Sequence, residues 1–108
     1  MTVNELSQKA GLTPVIMPDG DRAVEGAYCG DLLSWVMGRA QSGDAWITIM
    51  SNLNVIAVAS LSDVACVILA EGVALDEDAK KAAEEKEINI LMSEKSAYQV
   101  AVMLGSLL

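Results

Sequence analysis

The sequence predicts an α/β domain with a mostly parallel sheet of about four or five strands. From Trp46 onward, short segments rich in β-branched residues alternate with segments of helical periodicity, which is typical of consecutive βα units. Residues 64–70 are apolar without interruption, as expected of a central parallel strand covered on both faces. Helices packed against such a sheet give a three-layer-like arrangement.

Length and composition limit the range of functions. The chain has 108 residues, of which 53% are hydrophobic, so we expect one domain over residues 1–108 with a buried core. The net charge of −8 argues against nucleic acid and anionic membranes as partners. No apolar run approaches the roughly 20 residues of a membrane span, and the first residues lack the pattern of a signal peptide. These features predict a cytoplasmic location.

The first third of the chain contains two short strands. A helix is predicted over residues 2–10, with Thr2 as its N-cap, Glu5 at the capping-box position and Gly11 at its end. Strands are predicted over residues 13–17 and 23–29, separated by a turn at 18–21. The directions of these two strands relative to the rest of the sheet stay open.

A second helix is predicted to follow, with Asp31 as its N-cap. Its apolar residues cover more than one stripe, so it is expected to be buried on two sides. These residues are Leu32, Leu33, Trp35, Val36, Met37 and Ala40.

The remaining elements follow the βα pattern. A strand is predicted over residues 45–50, and the spacing of Val55, Val58 and Ala59 favours a helix over 55–63, capped by Asn54, although its composition also suits a strand. A further strand, helix and strand are predicted over residues 64–70, 76–87 and 88–92, the helix with its alanines facing inward. The last helix runs to about residue 107, with Ser93 or Ser96 as its cap.

Catalytic and metal chemistry have little support in the sequence. Histidine is absent, which excludes Ser-His-Asp and Cys-His catalysis and every His-based metal site. The two cysteines, Cys29 and Cys66, cannot complete a tetrahedral zinc site and are expected to be buried free thiols. Neither G-x-x-x-x-G-K-[ST] nor G-x-G-x-x-G occurs. We therefore predict no enzyme activity, no catalytic residues, no cofactor and no metal.

Polar residues follow the predicted parallel strands, where open α/β sheets bind their ligands. Helix N-termini at this edge favour anionic groups, so the candidate ligand is a nucleotide or a phosphometabolite. The alternative is that these residues are ordinary caps and turns. The candidates are Asp31, Ser34, Ser51, Asn52, Asn54, Glu71 and Gly72.

The last helix is apolar nearly all round. One of its faces can pack on the sheet, and the apolar residues outside that face are Val102, Met103 and Leu107. Together with Trp35 these residues are candidates for an interface with a second copy or with a partner protein, because an exposed patch of this kind is unusual in a monomer. The alternative is a core that wraps more completely around this helix.

Four segments carry a resemblance to a known family. They are V-E-G-A-Y-C-G-D-L-L-S at 24–34, W-I-T-I at 46–49, N-V-I-A-V-A at 54–59 and V-I-L-A-E-G at 67–72. The chain resembles stand-alone DRTGG-domain proteins, which are similar to the N-terminal domain of HPr kinase/phosphorylase. The D-R-T and G-G of the family's motif align with residues 51–53 and 71–72, where the Asp and Arg are missing.

The resemblance implies an α/β domain without a kinase phosphate loop, and hence no kinase activity. It also implies a regulatory or accessory role in redox, hydrogenase or carbon metabolism. The first hypothesis is therefore a non-catalytic regulatory or protein-interaction domain that forms a homodimer through its apolar helices. The alternative is a sensor that binds a small anionic ligand at the carboxyl ends of the strands.

Overall fold

The computed structural model describes residues 1–108 and confirms the mostly parallel α/β fold with five strands and five helices. The elements in chain order are α1 (Val3–Lys9), β1 (Thr13–Ile16), β2 (Gly26–Cys29), α2 (Leu33–Arg39), β3 (Asp44–Thr48), α3 (Leu53–Ser62), β4 (Cys66–Leu69), α4 (Glu77–Glu85), β5 (Ile90–Met92) and α5 (Ala97–Leu107).

The sheet has the strand order β1-β5-β4-β3-β2. Strands β2, β3, β4 and β5 are parallel neighbours in register, whereas β1 pairs antiparallel with β5 and has a register shift between Pro14 and Ile16. The directions of the first two strands, which the sequence left open, therefore differ. Strand β2 runs parallel to its neighbour in the sheet, and β1 runs antiparallel to its neighbour. Both of these strands lie at an edge of the sheet.

Helices cover both faces of the sheet, which gives three layers. The chain passes from β2 to β5 in one direction, and right-handed crossovers therefore place α2, α3 and α4 on the same face. Val36, Ile56 and Ala79 from these three helices belong to one buried cluster. On the other face, Leu6 of α1 and Leu104 of α5 belong to a second cluster. Each face of β3 and β4 is covered, as the long apolar run predicts.

The ends of several helices form as the sequence predicts. Thr2 and Glu5 form a capping box at α1, and Gly11 takes a left-handed φ of 65° after its last turn. At α5, Ser96 rather than Ser93 is the N-cap, and Gln99 completes a second capping box. No helix in the structure has the length and apolar character needed to cross a membrane.

Two predictions about the second helix are wrong. The N-cap of α2 is Leu32, not Asp31, and no side chain caps this helix. Only Val36 of α2 is buried, so the helix packs on one side and leaves Trp35 and Met37 exposed on the other. Because α2 lies at the β2 edge of the sheet, only one neighbouring helix, α3, is available to cover it.

The turn at residues 18–21 is held against the start of β5. Asn89 is buried, and its amide donates to the carbonyl oxygens of Asp19 (2.8 Å) and Ala65 (3.0 Å). Its Oδ1 accepts from the backbone N–H of Asp19 at 2.9 Å. One side chain thereby joins the loop after β1, the start of β4 and the start of β5.

Candidate functional site

The loops after the four parallel strands meet along one side of the sheet, here called the carboxyl edge. It comprises residues 30–32, 49–52, 70–76 and 93–96. Five of the seven candidate residues lie in these loops, and the other two, Ser34 and Asn54, lie in the first turns of the helices that follow. The candidate residues thus share one edge of the sheet, and their role in binding a ligand stays a prediction.

Asp31 connects two of these loops. Its Oδ1 accepts from the Thr48 hydroxyl at 2.7 Å and from the backbone N–H of Ile49 at 3.0 Å. The Thr48 hydroxyl oxygen in turn accepts from the N–H of Met50 at 3.2 Å. The Asp31 carboxylate thus fixes the loop after β2 to the loop after β3, whereas Ser34 lies exposed on α2 and makes no side-chain hydrogen bond.

Thr48 is a participant that the sequence analysis missed. It is buried at the last position of β3, and its hydroxyl is both donor and acceptor in the connection with Asp31. It is the only hydroxyl in the D-A-W-I-T segment of that strand. A polar side chain at the end of an otherwise apolar central strand was the signal that could have identified it.

The start of α3 has a different cap from the predicted one. Asn52, rather than Asn54, is the N-cap, and its Oδ1 accepts from the Asn54 N–H at 3.0 Å. Ser51 joins this loop to the next one, since its carbonyl oxygen accepts from the Asp76 N–H at 3.1 Å and its hydroxyl lies 3.4 Å from Asp76 Oδ1. Asn54 itself lies in the first turn of α3 with an exposed side chain.

The turn after β4 has two consecutive left-handed residues. Glu71 has a φ of 61° and Gly72 a φ of 70°. The Glu71 N–H donates to the Lys95 carbonyl at 2.8 Å, and the Gly72 N–H donates to the Ser93 carbonyl at 2.9 Å. A Cβ at Gly72 would lie 2.9 Å from Glu94 Oε2. This turn is therefore fixed against the loop after β5, and Glu71 holds a conformation that favours glycine.

Comparison with known proteins identifies the family. The family model of the DRTGG domain matches residues 27–107. This chain belongs to the DRTGG domain family. No curated protein sequence matches it.

The fold is similar to a solved structure of the CBS and DRTGG domains of the regulatory region of Clostridium perfringens pyrophosphatase, complexed with its activator, diadenosine tetraphosphate. The TM-score is 0.73 at 9% sequence identity, and the match covers 95% of this chain and 45% of that chain. At this identity the likeness shows a shared fold. The similarity to HPr kinase/phosphorylase stays a prediction.

Two positions of this DRTGG domain that the resemblance aligns with the family's motif have an unusual backbone conformation. The resemblance places G-G at Glu71 and Gly72, and both of these residues have a left-handed φ. The D-R-T positions fall on residues 51–53, at the start of α3. The two parts of the motif thus lie in neighbouring loops of the carboxyl edge, but here Asn52 stands where the motif has its arginine.

The carboxyl edge is acidic. Asp31, Glu71, Asp76 and Glu94 are exposed there, and Lys95 is the one cation in these loops. The Lys95 ammonium lies 3.8 Å from the sulfur of Met103. An unaccompanied phosphate group would meet more negative than positive charge at this edge. No group of three or more acidic or cysteine side chains is arranged to hold a metal ion.

The candidate interface residues lie on two sides of the sheet. Trp35 is 52% exposed on α2, and the Arg39 guanidinium stacks 3.8 Å above its ring. On α5, Val102 is 53% exposed, whereas Met103 and Leu107 are half-buried and pack against the cluster that contains α1. Of the three α5 residues predicted to be left over, two thus pack against the core, and Val102 stays exposed.

Cys29 departs from its expected burial. Cys66 is buried in β4 as predicted, but Cys29 is exposed on β2. Its partial burial raises the pKa of the Cys29 thiol, and the negative charge of Asp31 raises it further. Burial raises the pKa of Cys66 to about 12. Both cysteines are free.

Cys29 lines a groove between β2 and the second half of α5. The groove has a volume of about 280 Å³ and walls that are almost entirely apolar. Its lining residues are Ala27, Tyr28, Cys29, Ile47, Ala101, Leu104, Gly105 and Leu108. Small side chains at positions 27, 101 and 105 leave this space open, and the sequence analysis did not identify it.

Proposed function

We propose that this chain is a non-catalytic regulatory domain that acts through protein–protein contact, in the first place with a second copy of itself. The observation that carries this proposal is the surface of α5. The helix has no charged residue over its whole length, and Tyr98 and Val102 are 77% and 53% exposed. An uncharged helix with large apolar side chains in water is typical of an interaction surface.

Membership of the DRTGG family supports the regulatory part of the proposal. The similar solved structure contains a DRTGG domain within the regulatory region of a pyrophosphatase. This chain spans 45% of that protein's chain, so the activity of the whole protein is not carried over. An accessory role in redox, hydrogenase or carbon metabolism stays a prediction, and so does the cytoplasmic location.

The state of the thiols agrees with a non-catalytic domain. Catalytic cysteines usually have a lowered pKa beside a cation or a helix N-terminus. The pKa of Cys29 is raised instead, first by partial burial of the thiol and then by the negative charge of Asp31. At neutral pH Cys29 is therefore a protonated thiol, which is a poor nucleophile.

The test of self-association is molar mass by light scattering over a range of concentrations. The wild-type chain is expected to dimerise, and Val102→Glu should dissociate the dimer because it places a charge on the exposed stripe of α5. Val102 is preferred to Met103 or Leu107, since both of those also pack on the core. The matched control is Ala57→Glu, an equal charge change at an exposed position of α3 on the other face of the sheet.

A monomeric wild-type protein at every concentration would refute self-association. Equal dissociation by Val102→Glu and Ala57→Glu would show that added negative charge, and not the α5 surface, decides the mass. Circular dichroism of both variants confirms that the fold is retained.

A second candidate function is ligand sensing at the carboxyl edge. The observation in its favour is that the two parts of the family's motif, at residues 51–53 and 71–72, lie in adjoining loops of this edge beside helix N-termini. The activator of the similar regulatory region is a dinucleoside polyphosphate. Because the edge here is acidic, a nucleotide accompanied by Mg²⁺ suits it better than a bare polyphosphate.

A thermal-shift series with nucleotides, with and without Mg²⁺, tests this candidate. A ligand at 100 times its dissociation constant adds about 2.7 kcal/mol, which raises the Tm of a domain of this size by roughly 10 °C. Asn52→Ala should reduce the ligand-induced rise. Thr2→Ala removes an N-cap of the same kind at α1, which lies outside the carboxyl edge, and should leave that rise unchanged. A flat series would refute the sensor function for these ligands.

A further inference from the structure

The outer side of β2 has no partner strand. Edge strands present unpaired N–H and C=O groups, and proteins usually protect them with proline, charge, a bulge or a covering element. The segment Gly26-Ala27-Tyr28-Cys29 has no proline and no charge, and it pairs with β3 in uninterrupted register. By contrast, the other edge strand, β1, contains Pro14 and a register shift.

The groove continues this unprotected surface onto α5. Ala27 and Cys29 form one wall, and Ala101, Gly105 and Leu108 lie on the other. Tyr98, Val102 and Gly105 follow one another at helical spacing, so the exposed stripe of α5 runs along the rim of the groove. The strand edge, the groove and the stripe together form one uncharged surface, here called the β2 surface.

Charge indicates what covers this surface. The chain has a net charge of −8, the carboxyl edge is acidic, and α4 is densely charged. Two copies of such a chain repel each other wherever carboxylates meet. Residues 26–30 and 96–108 contain no charged side chain, so two copies can approach there without opposing their carboxylates. The depletion of charge is also typical of the buried centre of an interface.

Two-fold symmetry restricts how β2 can pair with itself. A two-fold axis perpendicular to the sheet pairs the strands antiparallel and leaves the two α5 helices side by side on the same face. If Tyr28 lay on the axis, Glu25 of each copy would oppose Asp31 of the other. If Ala27 lies on the axis, these carboxylates do not face each other. The register centred on Ala27 is therefore favoured over the register centred on Tyr28.

We propose that a second copy of this chain binds the β2 surface, so that β2 pairs antiparallel with its own copy about Ala27 and one sheet continues through both copies. This inference rests on the self-association proposed above and specifies where it occurs. Each α5 then covers the groove of the other copy. The unpaired strand edge and the exposed stripe of α5 become buried in a single contact.

The first test places a lysine at the centre of the pairing. Ala27→Lys sets two ammonium groups opposite each other and should raise the dimer dissociation constant by about tenfold or more, measured by analytical ultracentrifugation. Thr13→Lys is the matched control, an equal change at an exposed position of the other edge strand, and should leave the dimer intact. Equal dimerisation of both variants would overturn the inference.

The second test does not depend on the folding of the lysine variant. In Cys29→Ala the remaining cysteine, Cys66, is buried, and Ala27→Cys then adds one accessible thiol. Residues directly opposite in an antiparallel pair have Cα atoms about 4.5–5.5 Å apart, within the range of a disulfide. Mild oxidation should therefore give a covalent dimer of Ala27→Cys/Cys29→Ala, but not of Thr13→Cys/Cys29→Ala.

The outcomes separate this inference from the proposed function. A wild-type monomer would overturn both. A wild-type dimer that survives Ala27→Lys and does not cross-link through position 27 would overturn the β2 pairing alone. In that case Val102→Glu would still report whether α5 takes part in the contact.

Discussion

The two edge strands of the sheet, β1 and β2, differ in how well they are protected against pairing with a further strand. At the β1 end, the edge strand is interrupted by Pro14 and a register shift, and α4, whose outer face is charged, lies beside it. At the β2 end, the edge strand is regular and uncharged, and α5 and α2 extend apolar side chains into water beside it. The same sheet thus has one end that resists further pairing and one that is open to it.

The difference shows that the exposed apolar surface is not a general result of the high hydrophobic content. Helix α4 buries only its alanines and carries charges on its outer face, with Lys80 3.5 Å from Glu77. Helix α5 has the same kind of buried face but no charges outside it. If solubility were the only requirement, we would expect charged residues on the outer faces of the helices at both ends. The proposed contact with a second copy therefore lies at the β2 end.

The largest expected effect lies at the β1 end. Asn89→Ala should lower the free energy of unfolding by about 3 kcal/mol, because the buried carbonyl of Ala65 and both backbone groups of Asp19 lose their partner. Urea denaturation measures the change, with Asn54→Ala, an exposed asparagine, as control. The molar mass should not change. If Asn89→Ala were fully folded but no longer dimeric, self-association would not depend on the β2 end alone, and the distinction between the two ends would be wrong.

The next effect lies at the β2 end. Trp46 is fully buried, and its Nε1 donates to the Gly30 carbonyl at 2.8 Å, which holds the loop after β2 onto β3. Trp46→Phe should lower the free energy of unfolding by about 2 kcal/mol through lost packing and one unpaired carbonyl. Trp35→Phe, at a half-exposed ring, should change it by less than about 0.5 kcal/mol. Equal losses in the two variants would contradict the assignment of their burial.

A smaller gain in stability is expected at the turn after β4, between the two ends. Glu71→Gly removes the strain of a left-handed non-glycine residue and should raise the free energy of unfolding by about 0.5–1 kcal/mol. Gly72→Ala should do the reverse, since its φ is 70° and the new Cβ meets Glu94. Thermal denaturation compares the two. A loss of stability in Glu71→Gly would mean that the Glu71 side chain contributes more than its backbone strain costs.

The smallest effect depends on pH. Hydrogen bonds from Arg22 and then from Ser42 lower the pKa of Asp63 below its ordinary 3.8. A depressed folded-state pKa contributes stability that is present above the unfolded value and lost as the pH falls through the folded one. Arg22→Ala should therefore cost about 0.5 kcal/mol at neutral pH. This difference from wild type should shrink below about pH 4 and in high salt, measured by urea denaturation. A difference that grows on acidification would contradict this account.

Most of the fold could be predicted because alternating βα units and one continuous apolar run constrain the topology strongly. The strand boundaries shifted by a few residues, as at Val24, which is buried next to β2 but outside it. The exposure of Cys29 could not be predicted, since an edge strand and a central strand can have equally apolar sequences. Only the strand order, with β2 at the end, distinguishes them.

The candidate site was predictable as a set of residues but not as a set of contacts. Asp31 is two residues before α2, where an N-cap is a reasonable inference, yet its partner Thr48 lies on the neighbouring strand. Asn52 and Asn54 are both good caps, and the choice between them depends on the backbone. The left-handed φ of Glu71 has no signal in the neighbouring residues of the sequence.

The two tryptophans give the molecule two fluorescent reporters, one in the core and one on its surface. Trp46 lies in a dry interior, and Trp35 lies half in water with a guanidinium stacked on its ring. Because the chain contains no Phe and only two Tyr, its fluorescence comes almost entirely from these two indoles. Emission from Trp46 should shift to longer wavelength only when the core opens. Emission from Trp35 should lie at longer wavelength in the folded protein, so that changes in it report on contacts at the surface of α2.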